Sequence, residues 1–218
     1  SDQSSHSHLY PAKFISFEGV DGCGKSTLMD HLSRWLEEAG ISCIRTREPG
    51  GTRIGEKIRE LLLDPESAEM SPRAEVLLYS ASRAQLIAEV IAPGLARGAW
   101  VLTDRFVDAT FAYQGYGRGF DLDGLGSIQE WTMGGVWPDK TILLDCGIQT
   151  AMQRIGVRNG LKDRIEQENL EFHQKVRDGY LALAKMQPGR FVVLDAERPL
   201  AEVINEFRAK FWEVELGH

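Results

Sequence analysis

Gly19-Val20-Asp21-Gly22-Cys23-Gly24-Lys25-Ser26 has the residue types and spacing of a phosphate-binding loop, Gly-x-x-x-x-Gly-Lys-[Ser/Thr]. Its glycines let backbone N–H groups turn inward around a phosphate, and the start of a helix adds partial positive charge. In that chemistry Lys25 reaches the outer phosphates of a nucleoside triphosphate, and the Ser26 hydroxyl holds Mg2+. The loop carries meaning only between a strand and a helix, and both are legible. Residues 13–18 (KFISFE) form a short β-prone run, and 25–39 places Leu28, Leu32, Leu36 and Ala39 on one helical face.

Other chemistry-bearing residues stand at the ends of apolar runs. Asp104 follows the run 100–103, where a carboxylate can orient the water shell of Mg2+. Arg105 beside it can brace a phosphate with its planar fork. A surface ion pair is the ordinary alternative, and the phosphate loop tips the balance against it. Arg154, Arg158, Lys162 and Arg164 form a basic cluster around Asn159 and Gly160, as suits a lid closing over phosphates. Such a cluster is equally a solvated charged stretch. Tyr79 and Arg83 lie four apart, on one helical face, where a ring and a guanidinium can hold a planar base. Core packing accounts for an isolated Tyr just as well. Trp35, Trp131, Trp137 and Phe172 read as core, and Asp145 as structural.

The elements that must position these residues alternate. Apolar runs at 13–18, 41–46, 99–103, 141–146 and 191–194 are separated by helical patterns at 53–63, 74–91, 148–157, 166–184 and 200–212. This predicts an α/β chain with a five-stranded parallel sheet between helical layers, a three-layer α/β/α P-loop NTPase fold. Ligands of such sheets lie at the carboxyl ends of the strands. The glycine loop, the segment 47–52 (REPGGT) and Asp104-Arg105 are therefore expected together. Residues 1–12 read as a flexible polar tail, with His6 and His8 inert, and 13–218 as one domain with a lid at about 154–165.

Bulk properties narrow the partners. A net charge of -7 argues against a non-specific nucleic-acid binder. No apolar run approaches membrane-spanning length, and no charged-then-apolar signal opens the chain. Cys23, Cys43 and Cys146 have no paired metal-ligand spacing and read as reduced thiols of a cytoplasmic protein.

From about Phe14 to near the C-terminus the chain resembles bacterial thymidylate kinases. FEGVDGCGKST, TREPGGT, ASRAQL, DRFVDATFAYQGYGRG, DRIEQE and FHQKVRDGY occur in that order. The resemblance implies transfer of the γ-phosphoryl of ATP to dTMP, giving dTDP for dTTP synthesis, with Mg2+ required and usually in a homodimer. It implies that Gly19, Val20, Asp21, Gly22, Cys23, Gly24, Lys25, Ser26 and Thr27 hold ATP, with Arg154 near adenine. Asp21 matches an acidic position near the sugar of the nucleotide substrate and the magnesium network. Glu48 borders the dTMP site, and Arg59 and Arg105 grip its phosphate. Tyr79 stands where many members stack Phe on thymine, and Arg83 bonds the base. Thr110 and Gln114 read the edge of thymine, and Tyr113 lies near deoxyribose. Gly22 occupies a position where some members carry an arginine, so the catalytic charge is expected from the lid through Arg164. The implied catalytic set is Lys25, Asp104, Arg105 and Arg164, with Ser26 and Asp104 toward the metal. The helix 74–91 and the segment 106–113 are the implied dimer surfaces.

Three rivals remain. Another P-loop kinase, of a different nucleotide or a small metabolite, fits less well the pairing of DRF with AYQG. A regulatory GTPase lacks its Asn-Lys-x-Asp segment here. A non-catalytic nucleotide-binding module would be missing Lys25, Asp104 or Arg105, and all three are present.

Overall fold

The centre of the molecule is the strand that leads into the glycine loop. In the computed structural model, which describes residues 11–20, 22–157 and 160–217, β1 (Phe14–Glu18) is buried along its whole length. It pairs in parallel with β3 (Trp100–Asp104) on one side and β4 (Lys140–Asp145) on the other. β2 (Cys43–Arg47) and β5 (Phe191–Asp195) form the edges, giving the order β2-β3-β1-β4-β5. All pairings are parallel, so helices cover both faces and the inner strands read as continuous apolar runs. The expected five-stranded parallel α/β sheet is therefore the one observed.

Successive side chains alternate between the two faces. Ile15 and Phe17 join the cluster under α1 (Lys25–Glu38), with Leu28, Leu32 and Trp35. The C-terminal helix closes that layer. It runs as α9 (Leu200–Phe207), a π-helical stretch Arg208–Trp212 and a final turn, Glu213–Leu216. There Phe207 stacks on Phe211 at 5.3 Å and on Trp35 at 5.7 Å. Phe14 and Val101 point the other way, into a cluster with Leu86, Ile91 and Phe106.

That second layer holds α2 (Arg53–Leu63) and α3 (Pro72–Leu86), the latter continued by a π-helical turn, Ile87–Ile91, into α4 (Ala92–Ala96). It also holds two helical segments that the sequence pattern did not suggest. α5 (Val107–Thr110) runs on as a π-helix, Phe111–Gly117, and α6 spans Leu122–Met133. Five glycines between 115 and 126 conceal the helical period there. Two of them serve packing: a Cβ on Gly115 would lie 2.7 Å from Leu122 Cδ2, and one on Gly117 2.7 Å from Phe172 Cε2. The same close approach is built from the other side, where a Cβ on Gly179 would meet Tyr116 at 2.6 Å.

The last helices flank β4. α7 (Ile148–Val157) matches its expected bounds, whereas α8 (Leu170–Met186) begins later than residue 166. Asn169 caps α8 by accepting from Phe172 N–H, and Asp163 holds the preceding turn by accepting from Ile165 and Glu166 N–H. Among the described residues no helix is long and apolar enough to cross a membrane.

Candidate active site

Register brings the strand ends together. Phe17 lies opposite Asp104, so the glycine loop after β1 and the Asp104-Arg105 pair after β3 leave the sheet side by side. The loop depends on backbone that side chains resist. Gly19, Gly22 and Gly24 have φ of 129°, 80° and 102°. A Cβ on Gly19 would lie 2.5 Å from the Leu144 carbonyl oxygen. Lys25, only 4% exposed, folds back over this loop. Its Nζ donates to Gly19 O at 2.8 Å and lies 3.2 Å from Asp104 Oδ1. Ser26 is exposed in the first turn of α1.

The donor set suits Mg2+. Asp104 Oδ1 is buried, accepts no hydrogen bond among the described residues, and faces Lys25. A hydroxyl and a carboxylate are hard oxygen donors, and Mg2+ completes its octahedron with water and substrate phosphates. Asp21 lies outside the described residues, as do Arg158 and Asn159 of the expected basic cluster.

Arg105 has φ of 69°, in the left-handed region that costs a non-glycine residue about 1–2 kcal/mol. Its N–H donates to Phe17 O at 2.9 Å, and Thr103 Oγ1 donates to its carbonyl at 2.8 Å. The side chain passes over the loop, with Nη2 3.4 Å from Gly19 O and Cζ 5.9 Å from the centre of the Tyr113 ring.

A cleft of about 700 Å³ opens beside this pair. Glu48, Arg59, Tyr79, Arg83, Arg105, Thr110, Tyr113 and Gln114 all line it, so the expected acceptor-site residues converge, apart from Asp21. Arg83 is its frame. It is 1% exposed and donates through Nε to Glu48, through Nη1 to Thr110 Oγ1 at 3.1 Å and Gln129 Oε1 at 2.6 Å, and through Nη2 to Phe106 O at 3.1 Å. Burial pushes the Glu48 carboxyl up, and the guanidinium beside it pulls the other way. Arg59 Nη1 donates to Pro49 O at 2.9 Å, and Gln114 Nε2 to Glu75 Oε1 at 2.7 Å. Tyr79 is half-buried, and burial raises its phenol.

One expected neighbour is missing from the loop. Arg164 donates through Nε to Leu62 O at 2.6 Å and through Nη2 to Glu75 Oε2. The reason is electrostatic. Glu75 is almost fully buried, and its ion charge must be matched where it sits. Burial by itself would raise its carboxyl, but Arg118, Gln114 and Arg164 together hold it below the usual range. The structure thus brings Lys25, Asp104 and Arg105 together and places Arg164 elsewhere. Arg154 stands against the loop: a Cβ on Gly22 would lie 3.0 Å from its Cβ, and its Nη2 donates to Ala196 O at 2.8 Å.

Several contributors carried no sequence signal. Gln129 on α6 is fully buried, bonding Arg83 and, through Nε2, Ser80 Oγ at 3.0 Å. Glu18, beneath the loop, accepts from Phe106 N–H at 2.8 Å and Tyr180 O–H at 2.7 Å. Burial, with Asp108 nearby, pushes its carboxyl up to about 8. Asp163, Ile165, Glu166 and His173 also line the cleft, and burial lowers the His173 imidazole.

A strand–glycine loop–helix unit with a buried lysine, set beside an arginine-lined cleft, defines a P-loop kinase. The chain belongs to the thymidylate kinase family, whose model matches residues 17–207. It is 50% identical over 197 residues to the thymidylate kinase of Trichlorobacter lovleyi, covering 88% of this chain and 93% of that one. Identity to the thymidylate kinase of Carboxydothermus hydrogenoformans is 49% over 202 residues, 93% and 94% of the two chains. For the thymidylate kinase of Methylococcus capsulatus it is 44% over 210 residues, 96% of this chain and all of the relative.

Proposed function

We propose that this chain transfers the γ-phosphoryl of ATP to dTMP, giving dTDP and ADP, with the cleft beside Lys25 as the dTMP site. The observation that carries it is the convergence of Glu48, Arg59, Tyr79, Arg83, Arg105, Thr110, Tyr113 and Gln114 on one cavity next to the Lys25–Asp104 pair. The dTMP phosphate is already an anionic nucleophile, so the protein's work is positioning and charge stabilisation. Lys25 and the loop N–H groups hold the β- and γ-phosphates. Arg105 and Arg59 hold the acceptor phosphate in line. Tyr79 stacks on the base, while Arg83 keeps Glu48 and Thr110 in place around it. Ser26 and Asp104 would hold Mg2+, which would neutralise charge on the triphosphate. Arg154 borders the adenine side. Arg164 ties the lid base to Glu75 and α2, and the charge at the loop comes from Lys25 and Arg105.

The protein acts in this reading as a cytoplasmic homodimer. Leu77 on α3 is 60% exposed, and Trp131 on α6, expected in the core, is instead 87% exposed; together with Ile128 they line one apolar groove. A second copy covering that groove supplies the burial these side chains lack. The segment 106–113 is a poorer surface, since Phe106, Val107, Thr110 and Ala112 are already buried within the protomer.

ADP release with ATP and Mg2+, measured across a panel of nucleoside monophosphates, tests the reading. Turnover is expected to be highest with dTMP. A higher kcat/KM for another acceptor, or none with any, overturns it.

A further inference from the structure

Two cysteines far apart in sequence meet at the phosphate loop. Cys23 lies within the loop, and Cys146 directly follows β4. Their Sγ atoms are 2.9 Å apart across 123 positions, and each residue is 5% exposed. Cys43, the third cysteine, stands on the edge strand β2. We propose that Cys23 and Cys146 form an oxidisable dithiol, a modification site at which a hydroperoxide closes a disulfide across the phosphate loop.

Geometry and charge support it together. A disulfide has an S–S length of about 2.05 Å, so closing this pair takes a shift of roughly 0.9 Å. The contact with Cys146 lowers the Cys23 thiol to about 7, against its burial and with the Arg154 guanidinium and Lys25 adding to the effect, and the same contact raises Cys146. The thiolate is the nucleophile of sulfur chemistry. A small cavity bordered by Gly19, Val20, Asp145 and Arg177 reaches the pair from the Cys146 side.

The step balances. The Cys23 thiolate attacks one peroxide oxygen, the O–O bond breaks, and the departing alkoxide or hydroxide takes a proton from water. Cys23 is then a sulfenic acid. Cys146 sulfur attacks Cys23 sulfur, the S–O bond breaks, and water leaves with the Cys146 proton. Two thiols lose two electrons to the peroxide.

The bond acts on nucleotide binding through the loop. Gly22 and Gly24 flank Cys23 with φ of 80° and 102°, and Gly22 already abuts Arg154. Drawing the Cys23 sulfur toward β4 therefore moves the N–H groups that must face a triphosphate.

The test oxidises the full chain with hydrogen peroxide, blocks free thiols, and maps peptides without reduction. A Cys23–Cys146 cross-linked peptide with Cys43 free is expected. ADP release should fall by at least about tenfold and return with dithiothreitol. Cys146→Ser removes the resolving thiol, so Cys23 proceeds to sulfinic acid and the loss no longer reverses. Absence of the cross-linked peptide overturns the proposal whatever the activity does. Equal recovery of wild type and Cys146→Ser after dithiothreitol overturns it too.

Discussion

The guanidinium of Arg164 is bonded to the buried carboxylate of Glu75 on α3, and Arg118 reaches the same carboxylate at 3.1 Å. This cluster joins the turn before α8, α3 and the end of the π-helical segment Phe111–Gly117 into one electrostatic unit. Gln114, at the edge of the cleft, is part of it through its bond to Glu75.

Arg164→Ala should therefore act on stability. Removing one of two cations from a buried carboxylate leaves Arg118 in place, so the expected loss is about 1–3 kcal/mol, below that for a fully orphaned charge. Glu75→Gln should cost a similar amount, and the double variant less than the two singles added. Urea midpoints of the three variants measure this coupling. Additive losses would remove the cluster as the explanation.

This also shows what was legible in the chain. The phosphate loop is local, eight consecutive residues, and its strand and helix announce themselves by apolar period. Asp104 and Arg105 were readable because they end a buried strand. Glu75 and Arg164 are 89 positions apart, and Arg83 and Gln129 are 46 apart. No spacing rule joins such pairs. Charges on a helix look solvated until the fold buries them, and α6 itself was hidden by Gly124 and Gly126, which interrupt its apolar period.

Gln129→Leu keeps approximate volume but removes one of the two acceptors of Arg83 Nη1 and the donor to Ser80. A buried donor left unpaired costs about 1–3 kcal/mol. Because Arg83 holds Glu48 and Thr110, the disturbance should fall on the acceptor side: KM for dTMP rises about tenfold, with KM for ATP changed much less. Steady-state kinetics with each substrate varied in turn separates the two. Equal effects on both constants would place Gln129 outside acceptor recognition.

Arg105 combines strain with function. Arg105→Ala removes the guanidinium and should lower kcat about 100-fold or more. Alanine at φ 69° remains strained, while glycine does not. Arg105→Gly should thus be more stable than Arg105→Ala by about 1 kcal/mol and equally slow. Thermal midpoints alongside turnover check both halves. Near-normal turnover in either variant defeats the phosphate-gripping role.

Glu18 makes stability fall with rising pH. Its carboxyl is raised from 4.5 to about 8, chiefly by burial, with Asp108 adding to the effect and Tyr180, Phe106 N–H and Arg105 opposing it. The native state therefore keeps a proton that the unfolded chain releases above its own lower pKa. By linkage, this contribution is full below about 4.5, erodes as pH climbs, and is lost once pH passes about 8. Glu18→Gln stays neutral throughout, and the Tyr180 hydroxyl can turn to accept from the amide. Urea midpoints should decline less between about pH 6 and pH 9 in Glu18→Gln than in wild type, the difference amounting to a few kcal/mol at most. Parallel curves for the two proteins would mean that Glu18 is already ionised in the folded state at neutral pH.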